Sequence, residues 1–334
     1  MKIMTKKNYS TGKNEFLWQL AILLAITLTL IALKEMRLVS TSFLLILQYI
    51  GIYAILTLGI NIVNGYLGVF SLAHAGFMAI GAYVSAYLSK YFFTDITMFA
   101  VSIMAGAIAA LLVGILVAIP SFKTKGDYLA IITLGFSLIV QSLLQNARFV
   151  GASKGLNNIP KFTNIYWVFG CLLFAVFITN RFVRSKYGRS MQAIREDETA
   201  SNLVSVDVRK IKTIAFALSA FLIGISGALI GHLLGYTSPS AYGFVNIVDG
   251  LVMVYLGGTG SIVGSIFGSA AWQLIVQLLK QLDTWRWVVG GILLIFVMVF
   301  LPKGVFGNME LDDLFRIIKE KINRKEPGRG IRNG

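Results

Sequence analysis

Asp249, His74 and Ser71 are the side chains whose chemistry and setting stand out first. Asp249 is the sixth residue of an apolar run at 244–257. An ionisable group there is costly and has to face protein or water, so it marks either a pathway or gate for a polar solute or a hydrogen-bonded structural position. Ser71 and His74 share the segment GVFSLAHAGF (68–77), whose glycines suggest a broken or tightly packed helix. Gly257 and Gly258 open the small-residue stretch GGTGSIVGSIFGSA (257–270), read either as close helix packing or as part of the same pathway.

Other chemistries lack their residues. The two histidines, His74 and His232, show no ligand spacing, so no metal site is expected. The apolar runs hold no nucleophile with a base and no clustered carboxylates, which an intramembrane enzyme would need. GGTGSIVG lacks the lysine of a phosphate-binding loop, so nucleotide hydrolysis is not expected of this chain and no cofactor is implied. The lone Cys171 lies in an apolar run and cannot form an internal disulfide.

The elements that must position these residues are set by composition. Of 334 residues, 56% are hydrophobic and 13% charged, with a mean hydropathy of +0.75. A soluble domain has too little interior for that much apolar surface. A bilayer core of about 30 Å takes about 20 helical residues. Spans are expected at 17–33, 42–63, 66–89, 96–119, 129–147, 165–182, 213–235, 244–257, 262–282 and 286–301, about ten in all. The divisions near Asn64–Gly65 and before 262 are the least defined.

The net charge of +15 is local. Eight Lys/Arg lie between Arg181 and Lys212, eight between Lys303 and Arg332, and four in the first fifteen residues. Such clusters set orientation at cytoplasmic ends of spans and do not call for nucleic acid. Both termini are therefore expected in the cytoplasm, with segments 1–16 and 302–334 there and a membrane domain between them. The loop at 148–164 is outward in this scheme despite Arg148, Lys154 and Lys161. In the tail, Leu311, Leu314, Phe315, Ile318 and Ile322 outline an amphipathic helix whose basic end suits an anionic lipid surface.

One interior stretch is built for water: YGRSMQAIREDETASNLVSVDVRKIK (187–212), in the loop 183–212 that the charge scheme makes cytoplasmic. Tyr187, Met191 and Ile194 form a narrow apolar stripe on a short helix, with charges over the rest. It reads as a solvated connector, or as a docking helix that lays its apolar residues into a groove on a soluble partner.

The extended segment GRSMQAIREDETASNLVSVDVRKIKTIAFALSAFLIGISGAL (188–229) resembles the cytoplasmic loop and following helix of the branched-chain amino-acid ABC importer permeases. KGDYLAIITLGF (125–136), GASKGLNNIP (151–160), YLGGTGSIVGSIFGS (255–269) and FLPKGVFG (300–307) extend the resemblance toward the M-type member of the permease pair. Ser205, Leu138 and Ser265 stand where the family commonly has glycine, glutamate and proline. The resemblance implies an all-α, type II-like importer permease that works with an H-type permease, two cytoplasmic ATP-binding subunits and an extracytoplasmic amino-acid-binding protein. It also implies that Gly188, Arg189, Ala193, Ile194, Arg195 and Glu196 form the ATPase-coupling helix. Urea and short-chain amide importers have similar permeases. An ion-coupled secondary transporter is a further alternative, for which Asp249 would be the sole intramembrane acid.

Overall fold

The structure, a computed structural model, describes residues 40–93, 95–122, 128–204, 206–279 and 285–300. The expected span at 17–33 and the tail helix lie outside them. The described residues are helical, without a strand beyond one isolated bridge, Leu156 to Thr237.

In chain order the helices are α1 (Thr41–Asn61), α2 (His74–Tyr91), α3 (Phe99–Ser121), α4 (Tyr128–Asn146) and α5 (Ile165–Arg184). Two short helices follow, α6 (Lys186–Glu196) and α7 (Glu198–Leu203). The rest are α8 (Val208–Leu234), α9 (Phe244–Gly257), α10 (Ile262–Leu278) and α11 (Trp285–Phe300). Among the described residues, five segments are long and apolar enough to cross a bilayer: Thr41–Tyr66, Ile96–Ser121, Tyr128–Asn146, Ile165–Arg184 and Val208–Leu234. Helices α9 and α10 are apolar but shorter.

The long helix α8 is the axis of the bundle. Of its most apolar window 89% is buried, against 22% for α4 at the periphery. Small residues make this possible. A Cβ on Gly81 would strike the backbone of Gly224, and one on Gly227 would strike the Met78 carbonyl, so α2 and α8 touch backbone to backbone. Gly106 brings α3 onto the same line, where its added Cβ would stand 2.6 Å from the Gly81 carbonyl oxygen. In lipid, where burial of apolar surface drives little, such close dispersion contact holds helices together. Helix α3 shows the resulting pattern: Ala107, Ala110, Gly114 and Ala118 face inward, while Met104, Ile108, Leu112 and Leu116 are exposed.

Two departures from the expected spans matter for the site. The run 66–89 is not one helix: α1 widens into a π-helical turn at Ile62–Tyr66, and α2 begins only at His74. Between them Gly68 takes φ +75°, a left-handed value that glycine adopts without strain. The freed backbone groups find side chains on α4: Leu72 N donates to Thr133 Oγ1 at 2.9 Å, and Ser137 Oγ donates to Leu72 O at 2.9 Å. The second departure is α8, which starts at Val208, ahead of the expected 213. Asp207 caps it by accepting from Lys210 N at 3.0 Å.

The loops sort to two ends. Leu156 and Thr237 exchange backbone hydrogen bonds of 2.8 and 3.0 Å, and Ile159 N donates to Gly235 O at 2.9 Å, so the 148–164 and 236–243 connections share one end. Helices α6 and α7 and the 67–73 loop lie at the other.

Candidate functional site

Helix α6 is defined at both ends by capping. Ser185 Oγ accepts from Tyr187 N at 3.1 Å, and Asp197, just past the last turn, accepts from Thr199 N and Ala200 N at 2.8 and 3.0 Å to start α7. The turn into α6 is tight, because a Cβ on Gly188 would collide with the Val183 carbonyl at the end of α5. Tyr187 stacks on Phe182 with ring centroids 6.2 Å apart. Glu198 of α7 pairs with Lys212 of α8 at 2.8 Å, and the same ammonium lies over the Phe122 ring at 5.8 Å.

The apolar stripe faces the opposite way from the sequence expectation of a groove-filling surface. Met191 is fully buried and Ile194 is 4% exposed, both within the chain's own core. Of the six residues expected to couple, Gly188 and Ile194 point inward, while Arg189, Ala193, Arg195 and Glu196 are exposed. Lys186, Arg189, Ala193 and Glu196 recur at helical spacing and make one outward face, two cations and one anion around a small residue. The physical reason is simple. An amphipathic period says which side is apolar, not which protein covers it, and the bundle offers the nearer surface.

Helix α6 also reaches the broken segment after α1. The Arg195 stem packs over Gly68, where an added Cβ would stand 2.5 Å from Cγ and 3.2 Å from Cβ and Cδ. That loop is clamped by Asn64, whose Oδ1 accepts from Ser71 N and whose Nδ2 donates to Ser71 O, each at 3.2 Å. His74 follows as the first residue of α2, 3% exposed, with Nε2 3.1 Å from Ile247 O on α9. Residues α6, 62–74 and α9 are thus in continuous contact. Asp249 lies half-buried on α9, beside Gly250, which packs on the His74 ring.

Gly257 and Gly258 are used in packing. A Cβ on Gly257 would strike the Gly264 carbonyl, and Gly258 ends α9 at φ +128°. Asn61 secures the joint, with Nδ2 2.9 Å from Ser261 O and 2.7 Å from Ser265 Oγ, and Oδ1 accepting from Gly260 N at 2.8 Å. His232 is bound to Ala228 O at 2.9 Å and packed on Phe99 and Phe162. Among the described residues no group of metal-ligating side chains assembles.

The model of the branched-chain amino acid transport system permease component matches residues 42–298. The chain belongs to that permease family. It is 32% identical over 289 residues to the high-affinity branched-chain amino acid transport system permease protein LivM of Escherichia coli (strain K12), covering 76% of this chain and 67% of the relative. LivH of Salmonella typhimurium is 25% identical over 78% of this chain and 92% of its own length. BraD of Pseudomonas aeruginosa is 26% identical over 78% and 93%. No solved structure gives a significant match.

For this member of the permease family, sequence reasoning named Ser71, His74, Gly257 and Gly258 but missed the groups that hold the segments around them: Thr133 and Ser137 at Leu72, and Asn61 at the joint after Gly258. Each is a lone polar residue inside an apolar run, and that rarity was the available signal. Their partners are backbone atoms up to 200 residues away, which no local pattern points to.

Proposed function

We infer that this permease is the membrane subunit of an ABC importer that carries branched-chain amino acids delivered by an extracytoplasmic binding protein. Separate cytoplasmic ATP-binding subunits drive it, and an H-type permease supplies the other half of the passage. Ten membrane helices, both termini in the cytoplasm and insertion in the bacterial inner membrane complete the reading.

The single observation that carries it is the seating of α6. Closure of nucleotide subunits has to reach the membrane through a packed element that moves as one body. A helix capped at both ends, rooted through Met191 and Ile194 in the bundle and presenting Lys186, Arg189, Ala193 and Glu196 outward suits that task. In this reading the outward residues meet the ATPase, Gly188 and Ile194 root the helix, and Arg195 passes displacement to the loop at Gly68.

Among Ser71, His74, Asp249, Gly257 and Gly258, Asp249 reaches the subunit surface and the others are buried. The passage is therefore assigned to the Asp249 face of α9, with Ser71, His74, Gly257 and Gly258 supporting it from behind.

The test is co-purification with candidate ATPases and the H-type permease, then reconstitution with binding protein. Leucine, isoleucine or valine should stimulate ATP hydrolysis and uptake. Uptake that persists without any ATPase would sink the importer reading, and stimulation by urea or short amides alone would replace the substrate.

A further inference from the structure

His74 has a ring nitrogen that no protein group reaches. Nε2 stands 3.1 Å from the Ile247 carbonyl, which can only accept, so Nε2 carries the hydrogen and Nδ1 is an acceptor. No protein donor reaches Nδ1, although the residue is 3% exposed. Buried polar atoms in that condition are normally satisfied by ordered water.

The ring has two edges. The Nε2–Cδ2 edge faces α9, where a Cβ on Gly250 would lie 2.6 and 2.9 Å from those atoms. A small cavity adjoins His74 and is lined by Val63, Asn64, Ser71, Ser219 and neighbouring apolar side chains, none of them from α9. The Nδ1 edge is the one away from Gly250, and His74 is itself part of the cavity wall. About 10 Å³ is open to the centre of a water molecule. That is close to the least a single water needs, and far too little for an amino acid.

The lining has the right hydrogen-bond capacity. Ser219 gives its hydrogen to Gly59 O at 2.7 Å, so its oxygen remains able to accept. Ser71 Oγ accepts from Ala73 N at 3.4 Å, leaving its own hydrogen to donate. Asn64 Oδ1 has one lone pair engaged by Ser71 N. We propose that this cavity is a water site, in which one ordered molecule donates to His74 Nδ1 and to Asn64 or Ser219 and accepts from the Ser71 hydroxyl. Its lining comes from the end of α1, the 67–73 loop, α2 and α8, so the water touches all four elements. The proposal stands whether or not the importer reading does.

Two measurements on the full-length protein in lipid nanodiscs test it. A cryo-EM map that resolves buried waters should show a peak within hydrogen-bonding distance of Nδ1; a map showing other buried waters and none here overturns the site. Val63→Ile adds one methylene to the lining. Displacing a bonded water should lower the thermal midpoint by about 2–4 °C, and the penalty should shrink in a His74→Phe background, which lacks the acceptor. A rise in the midpoint, as on filling a dry void, or an equal penalty in both backgrounds, as from steric crowding, overturns the proposal.

Discussion

The Asn61 carboxamide donates to the Ser265 hydroxyl at 2.7 Å across 204 residues of sequence. It joins the last residue of α1 to the first turn of α10, and the same amide holds the glycine turn that ends α9. Three helices therefore meet at one side chain in an apolar surrounding, where each bond is hard to replace.

Asn61→Leu should destabilise the folded protein by about 2–3 kcal/mol, since it leaves the Gly260 N–H and the Ser261 carbonyl buried without that partner. Ser265→Ala removes one acceptor while Asn61 keeps its others, and should cost about 1 kcal/mol. Thermal unfolding of the purified protein in detergent checks the order of the two. Equal effects would mean that the network does not bind the three helices together.

Gly188→Val should fail at the level of folding, because its side chain meets the Val183 carbonyl, a backbone atom that cannot swing aside. The expected readout is a sharp drop in monodisperse protein on size-exclusion chromatography. A well-folded Gly188→Val protein would show that the α5–α6 turn has room that the geometry denies it.

Charge reversals on the outward face of α6 separate docking from stability. Arg189→Glu and Glu196→Lys sit on the surface and should change stability by no more than about 0.5 kcal/mol. Each should nevertheless weaken capture of the ATP-binding subunits in pull-down. Unchanged capture with both variants would count against α6 as the docking element.

The sequence located most helices to within a few residues, because runs such as 96–119 and 165–182 are continuous and bounded by polar residues. It located α6 as well, through Tyr187, Met191 and Ile194. What it misjudged was the use of that stripe: Met191 and Ile194 are covered by the chain itself. The expected span at 66–89 failed for a related reason. Hydropathy counts Leu67, Val69, Phe70 and Leu72 as membrane residues, but the helix unwinds there: Leu67 N and Val69 N reach back to Ile62 O and Val63 O, and the Leu72 backbone is served by Thr133 and Ser137 on α4. Apolar content fixes where a segment lies more readily than how its backbone bonds are met.

Gly68→Ala should cost about 1–2 kcal/mol, combining a positive φ with contact against the Arg195 stem. In an Arg195→Ala background the closest contact, with Cγ, disappears while the Cβ contact and the backbone strain stay, so the cost should fall without vanishing. A double-mutant thermal unfolding cycle measures the difference. Additive effects would mean that Arg195 does not bear on the loop.

Orientation can be read by single-cysteine labelling after Cys171→Ser. A cysteine at Lys154 should react with an impermeant thiol reagent in intact cells, and one at Asn202 only after the membrane is opened. The reverse pattern would invert the bundle and remove α6 from the ATPase side.

The pairing of Leu156 with Thr237, tightened by Ile159 on Gly235, ties the start of α5 to the finish of α8 far from the charged helix. These two rods are thus strapped directly at one tip, whereas at the other they are linked through α6, α7 and the Glu198–Lys212 pair, like tongs hinged at one end and held by a grip at the other. Motion delivered near Arg195 would be greatest at the end of the bundle that carries α6 and least beneath the strap.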